Sequence, residues 1–519
     1  MDPASADAWQ LTIHEAINVA LSNSEAVRNL GLLDAGSDVD KIRSIITVYD
    51  PLAAEAAADA EWGIFDPLWT TAMQWDRIDI PPGTSFSGIG NRPPELDTAD
   101  FYTSVEQLFP CGARYRTDFV TDYLFNPNNP VGLDPNPQYF SYAQFGVNQP
   151  LLQGLGVGVT MAPIRIAAAQ AERTDWQFKQ EMLALVRSVE TTYWALYAHQ
   201  QNLRAIDEVL PMFREVVRIR EQQSAQSAGT ESETARARSE SLLFEQRRLD
   251  TLSQIAEQQL VLRNLLGLPP DDCRYIKLVA LPMRPRPVES LSDAVATALN
   301  QRPDVLRQRL AVYVAQQEQV VACDSLRPRL DFNAFWRING LGEDLGNSFE
   351  VLGENDYHDW QMGFTFQVPL GRRQGRANVR AARFNIQSER ALLQQTAHQA
   401  SYEVADAYRR ILYLSQQHQI VSDRVVALGQ WREGAKAQFD NPPSGMSTVF
   451  ALEIYLQNLR DIVEATNNAN AILADYNSAL ARLEEVKGTL LDTRRVEVVG
   501  DTTLDVPGGL PVPEVQLGQ

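Results

Sequence analysis

The stretch Asp359 to Ala382, DWQMGFTFQVPLGRRQGRANVRAA, constrains the fold more than any other in the chain. Trp360, Met362, Phe364, Phe366 and Val368 fall on one side of an extended backbone, with Gln361, Gly363, Thr365 and Gln367 on the other. A period of two held this long marks a strand with one apolar and one polar face. Pro369 ends the ladder, because proline has no amide hydrogen to donate. Leu370, Gly371 and Gly375 then carry a turn, and from Arg376 the residues suit a helix. An amphipathic strand thus feeds a helix through a Pro-Leu-Gly corner. The same corner occurs earlier, where AQFGVNQPLLQGLG (Ala143 to Gly156) alternates and breaks at Pro150 and Leu151 before a glycine-rich turn and a helix. Two such corners predict a duplicated unit.

Helix starts support the duplication. Thr12-Ile13-His14-Glu15 has the pattern of a capping box, in which Thr12 and Glu15 satisfy each other's free amides. Ser290-Leu291-Ser292-Asp293 offers a related cap, and the small and apolar residues after it repeat the spacing of Ala16, Ile17, Ala20 and Leu21. The span from Glu15 to Pro150 is much longer than that from Asp293 to Pro369, so the first copy holds an insertion, placed at 80–137. Its Pro- and Gly-rich ends, including NPNNPVGLDPNP, read as exposed loop. Between them Phe101–Phe109 and Ala113–Phe125 suit a hairpin. The spans from Pro150 to Gly229 and from Pro369 to Gly445 match closely, and both read as very long helices. Val186, Val189, Tyr193, Leu196, Leu203, Ile206 and Leu210 keep three-four spacing in the first; Val404, Tyr408, Ile411, Val425 and Leu428 do so in the second, with Ser415 and His418 between them. Such seams pack helices in a coiled-coil manner. A helix over 164–228 is roughly 100 Å long at 1.5 Å per residue, and Pro211 is expected to kink it. Each helix reaches a turn, near 229 or 445, and a second helix returns.

The reading is therefore repeat one over 9–289, repeat two over 290–491 and a mostly disordered tail over 492–519. Each repeat runs helix, strand, loop, strand, very long helix, turn, return helix. The first strands are placed at Trp62–Ile78 and Leu330–Asn339, the latter alternating except at Phe335.

Composition removes several classes of function. A net charge of −20 over 519 residues argues against a nucleic-acid surface. No apolar run is long enough for a transmembrane helix, whereas a β-barrel leaves only a weak alternating signal. Met1-Asp2-Pro3-Ala4 lacks the pattern of a signal peptide, which predicts a cytosolic chain or a mature form with an added methionine. Cys111, Cys273 and Cys323 contain no CxxC, and the five histidines form no ligand spacing, so no metal or cofactor is expected. Gly154-Leu155-Gly156-Val157-Gly158 lacks the dinucleotide-loop spacing, and no nucleophile-base motif appears, so an enzyme is not expected. Arg372, Arg373, Arg376, Arg380 and Arg383 at the second corner are either a solvated helix start or a contact for anionic headgroups. Trp62, Trp69, Trp75, Trp336 and Trp360 suit either interfacial girdles or plain packing.

Over residues 9–491 the chain resembles the TolC-like outer-membrane efflux proteins. The corners NQPLLQGLG and FQVPLGRRQG, the openers EAINVAL and DAVATAL, the turn GTESE and the terminal DYNSALARLEEVKGTLL carry the likeness by their order and spacing. The resemblance implies an α+β membrane protein: a homotrimer whose subunits each give four strands to a twelve-stranded outer-membrane β-barrel. A long α-helical coiled-coil barrel then continues the channel into the periplasm. It also implies a periplasmic adaptor and an inner-membrane transporter as partners. Gly229, Thr230, Glu231 and Ser232, and Gly445, Met446, Ser447 and Thr448, become the adaptor-contacting tips. The family's entrance is narrowed soon after the second tip, where Phe450 and Glu453, or Ala451 and Ile454, align. Phe450 and Glu453 are the gate candidates, hydrophobic or acidic. A soluble periplasmic coiled-coil scaffold or adaptor is the alternative, but it leaves the strand faces of Phe332 and Phe364 in water.

Overall fold

The computed structural model describes residues 8–24, 46–79, 95–127, 132–225, 231–271, 274–279, 281–285 and 289–496. In chain order its elements are β1 (Ala8–Leu11), α1 (Ile13–Ser22), α2 (Tyr49–Ala60), β2 (Leu68–Asp79), β3 (Glu95–Leu108), β4 (Arg114–Phe125), β5 (Gln138–Pro150), α3 (Ala162–Ala225), α4 (Glu231–Leu265) and β6 (Tyr275–Leu278). Then follow α5 (Leu291–Gln301), α6 (Pro303–Asp324), β7 (Arg329–Gly342), α7 (Leu345–Glu354), β8 (His358–Gln367), α8 (Arg373–Asp440) and α9 (Thr448–Lys487). Single helical turns stand at Glu61–Phe65, Val157–Thr160 and Leu490–Thr493. Two compact units interleave along the chain, one of residues 1–52, 173–308 and 392–502, the other of 53–172, 309–391 and 503–519.

The unit containing the strands is built on one sheet of order β2-β3-β4-β5-β7-β8, antiparallel throughout. The sequence predicts four strands; the sheet has six. The extra two are the hairpin that the sequence suggests between the loop-like ends of the insertion, now found within the sheet. In the structure β3 and β4 lie between β2 and β5, because both match their neighbours in length and alternation and so satisfy backbone groups on either side. The first strand also starts later than predicted. Trp62 belongs to the turn Glu61–Phe65, and the ladder begins at Leu68, just after Pro67. Residues 80–94 and 128–131 of the insertion lie outside the described residues.

The other unit is mostly helical. Thr12 caps α1 by accepting from the Glu15 amide at 3.3 Å, but the return half of the box is not made. The Glu15 carboxylate instead accepts from the Trp9 indole. Ser290 caps α5 in the same way, through the Asp293 amide. Ala16 and Ala20 of α1, and Ala294 and Ala298 of α5, are all buried. Every residue of the predicted α3 seam is buried, and α3 runs on through Pro211 without interruption. On α8 the seam is shifted: Val404, Ala407, Ile411, Leu414 and Val421 are buried, while Ser415, His418, Val425 and Leu428 are half-exposed.

Two features were not legible in advance. One is the parallel pair β1–β6, whose strands of four residues are too short to show a period. It is held by Tyr193, which donates to the Leu11 carbonyl at 3.0 Å, and by Gln200, which donates to the Ile276 carbonyl at 2.8 Å. The other is the start of the tail. Arg494 forms a two-pronged pair with fully buried Glu190, both contacts at 2.6 Å, so order extends to residue 496. Residues 497–519 lie outside the described residues.

Candidate functional site

The register joins six separate alternations into two continuous faces, since residues directly opposite in an antiparallel pair share a face. One face carries Trp69, Met73 and Trp75 of β2, Phe101 and Val105 of β3, Phe119 and Tyr123 of β4, and Phe145 and Val147 of β5. It continues through Phe332, Trp336 and Ile338 of β7 to Trp360, Met362, Phe364 and Phe366 of β8. The predicted apolar row of β8 is thus one edge of a wall six strands wide. Val368 lies one residue beyond β8. Trp69, Trp75, Trp360 and Phe364 expose 66–73% of their surface.

The opposite face is polar and internally bonded. Arg116 pairs with Asp118 at 2.7 Å and donates to the Tyr102 hydroxyl, while Gln144 reaches Asp118 from the next strand. Asn148 donates to Asn333, and Asn333 donates to Thr365 at 3.3 Å. Arg337 pairs with Asp359 at 2.8 Å, and its guanidinium lies over the rings of Tyr142 and Phe335. That contact accounts for Phe335, which breaks the alternation of β7 by sitting on the polar face.

A soluble antiparallel sheet ordinarily buries its apolar face and wets its polar one. Here the apolar face is largely uncovered. Among the described residues its one cover is α7, capped by Asp344 and seated over β5 and β7. Phe349 meets Phe119 with ring centroids 5.7 Å apart. Close approach requires Gly340 and Gly342, where an added Cβ would come within 2.2 Å of the Ser348 carbonyl oxygen and 2.4 Å of its amide nitrogen.

The corners differ. Pro150 closes β5, the Leu151 amide donates to the Leu330 carbonyl at 2.7 Å, and the Gly154 amide donates to buried Asp324 at 2.8 Å. Pro369, Leu370 and Gly371 link β8 to α8, and Leu370 is 97% exposed. Arg373, Arg376, Arg380 and Arg383 are exposed and make no ion pair among the described residues.

In the helical unit the second predicted tip is a tight reversal. Gly445 has φ +95°, the Met446 amide donates to the Pro443 carbonyl, and Ser447 caps α9 by accepting from the Phe450 amide at 3.2 Å. Thr448 is the first residue of α9; Glu231 and Ser232 open α4, whereas Gly229 and Thr230 lie outside the described residues. Sequence reasoning missed the residue that fastens these ends together. Arg220 of α3 is buried, contacts Glu233 of α4 at 3.4 Å, donates to the Thr448 carbonyl at 3.2 Å and lies over the Phe439 ring of α8. The available signal was an arginine continuing the core spacing of Phe213 and Val216.

The gate candidates separate chemically. Phe450 is 57% exposed. Glu453 is engaged by Arg236 at 2.5 Å and Arg460 at 3.3 Å, so its charge is neutralised within the subunit. Ala451 is fully buried.

The sequence pattern described as "Outer membrane efflux protein" matches residues 294–488. The likeness to the outer membrane efflux protein family thus covers less than half of the chain. No curated protein matches it in sequence. Solved structures extend the likeness of fold over nearly the whole chain. The Campylobacter jejuni CmeC outer membrane channel is 16% identical, with 92% of this chain and 86% of that one covered at a TM-score of 0.60. The outer membrane protein VceC of Vibrio cholerae is 15% identical, covering 92% and 96% at 0.58. The Neisseria gonorrhoeae MtrE outer membrane channel, in its open state, is 15% identical, covering 92% and 89% at 0.54. These are likenesses of architecture, and they extend to the first half of the chain, which the family pattern leaves unmatched. Among the described residues no helix is long and apolar enough to cross a membrane, and no group of residues is arranged to hold a metal ion.

Proposed function

We propose that this protein is the outer-membrane channel of a tripartite export system, passively conducting substrates delivered by an inner-membrane transporter and a periplasmic adaptor. The observation that carries the reading is the wall itself: a broad, uncovered apolar face backed by a continuous, hydrogen-bonded polar face. Lipid solvates the first and a water-filled lumen the second. An open sheet leaves unpaired backbone groups on β2 and β8, which hydrocarbon cannot satisfy. Association of copies into a closed barrel removes those edges, and the proposed assembly is a homotrimer built from two-repeat subunits. The helices then form the periplasmic extension, with the ends near 229 and 445 docking the adaptor.

In this reading Phe450 supplies a hydrophobic constriction at the entrance, while Glu453 braces α9 against α4. The exposed arginines after Gly371 lie where anionic headgroups at the inner leaflet would meet them. A soluble scaffold accounts for the helices but not for the uncovered face. Extraction discriminates between the two. The protein should resist release from membranes by high salt and require detergent, and deleting its gene should abolish export of a substrate. Release by salt alone would overturn the channel in favour of the scaffold.

A further inference from the structure

The inserted hairpin is more than decoration on the wall. β3 and β4 have 14 and 12 residues, against the 9–11 or so that a tilted strand needs to cross a bilayer. Both keep the two-faced chemistry of their neighbours. Phe101, Val105, Phe119 and Tyr123 continue the apolar face, and Asp100, Arg116, Asp118 and Asp122 the polar one. Pairing runs unbroken on both sides of the hairpin, from Leu68↔Glu106 to Asp79↔Glu95 and from Arg114↔Asn148 to Leu124↔Gln138. Its turn returns at the level of the first corner. The Gly156 amide donates to the Cys111 carbonyl at 3.2 Å, and Gly112, at φ +91°, passes so close that a Cβ would meet the Gly154 carbonyl oxygen at 2.3 Å.

We infer that the insertion crosses the outer membrane twice as part of the barrel wall, so that each copy contributes six strands and a ring of three closes as an eighteen-stranded barrel. This rests on the trimeric channel reading above. The strand count permits the closure: with six alternating strands, β8 of one copy runs antiparallel to β2 of the next. Self-closure of one copy does not work. Six strands about 4.8 Å apart, tilted about 40°, enclose a cylinder only about 12 Å across, too narrow for inward side chains. The same arithmetic gives about 24 Å between backbones for twelve strands and about 36 Å for eighteen. The mouth is therefore about 1.5 times wider, and about 2.25 times larger in cross-section, than four strands per copy would make it. The insertion sets the size of cargo that the barrel segment admits, and it adds acidic groups, Asp100 and Asp122, to the lumen-facing surface.

Electron cryomicroscopy of the detergent-purified protein counts strands and copies in one experiment. Three copies and eighteen strands are expected. Three copies with twelve strands, and the hairpin folded outside the wall, would overturn the inference and leave the channel intact. Six strands per copy in a ring of another size would overturn the trimer and the count of eighteen, while confirming the hairpin's place in the wall. A second measurement reads that place in native membranes. In a chain whose own cysteines are replaced by serine, Thr117→Cys with Phe145→Cys, directly opposite across β4 and β5, should join in nearly full yield with a short thiol crosslinker. Failure of that pair in folded, membrane-inserted protein would place the hairpin elsewhere.

Discussion

Replacing Met362 with arginine tests the orientation of the wall at its most sensitive point. Met362 lies five residues from Gln367, where β8 ends at the second corner. At about 3.3 Å per residue and a tilt of about 40°, that places it about 13 Å from the corner end of an apolar band about 25 Å tall, at the midplane. Arginine on a lipid-facing strand costs about 2–4 kcal/mol there and about 0–1 kcal/mol near the interfaces. Three copies multiply the cost to about 6–12 kcal/mol per assembly if the sites act independently. Gln361→Arg is the control, at nearly the same depth but on the polar face opposite Phe335. Phe364→Arg, nearer the corner, should fall between the two. The assay is the yield of folded trimer when urea-unfolded protein is diluted into lipid vesicles, resolved by its resistance to dissociation in detergent. Met362→Arg should reduce that yield severely, and Gln361→Arg should leave it near wild type. Equal yields for these two would refute the assignment of the apolar face to lipid.

Other consequences fall on the helical unit. Arg220→Met removes the buried guanidinium that faces Glu233 and should destabilise the unit by about 3–5 kcal/mol, measured by denaturant unfolding; adding Glu233→Gln should recover part of the loss, and no recovery would show that the pair is not what matters. Burial holds the His199 imidazole below its ordinary value, with Glu257 opposing the shift, and its Nδ1 has no hydrogen-bond partner among the described residues. Its folded pKa is below the unfolded one, so its contribution is fully present above about pH 6.5 and is lost as pH falls from there through the folded pKa. His199→Gln should therefore flatten the decline in melting temperature between pH 7 and 5; an unchanged slope would remove His199 as the cause. Phe450→Ala should raise single-channel current in planar bilayers, while Glu453→Gln, whose charge is already neutralised, should change it little. The reverse ranking would make the gate acidic.

How much the sequence revealed depended on how far each signal repeats. The β8 row and the α3 seam are long and strictly periodic, and they recur in the structure as one strand face from Trp360 to Phe366 and one buried stripe from Val186 to Leu210. The hairpin was visible as two alternating runs, but sequence gives no sign of where a strand finds its neighbours. Only the register between β2 and β5 made it wall. The α8 seam slipped because polar positions such as Ser415 and His418 fit the spacing as well as Leu414 and Val421 do. Arg220 and the Glu190–Arg494 pair were invisible for another reason. Charged residues read as surface until a partner distant in sequence is found beside them. The four-residue strands β1 and β6 carry too few residues for any period.

The most direct test is a cysteine scan of 359–367 in native membranes, in a chain without its own cysteines. Each position is labelled with a membrane-impermeant thiol reagent and, separately, with a probe quenched by lipid. Positions 361, 363, 365 and 367 should react from water, and 360, 362, 364 and 366 should resist it while their probes are quenched. A flat profile, with all positions reacting alike from water, would mean that the sheet does not stand in a membrane and that the channel reading is wrong.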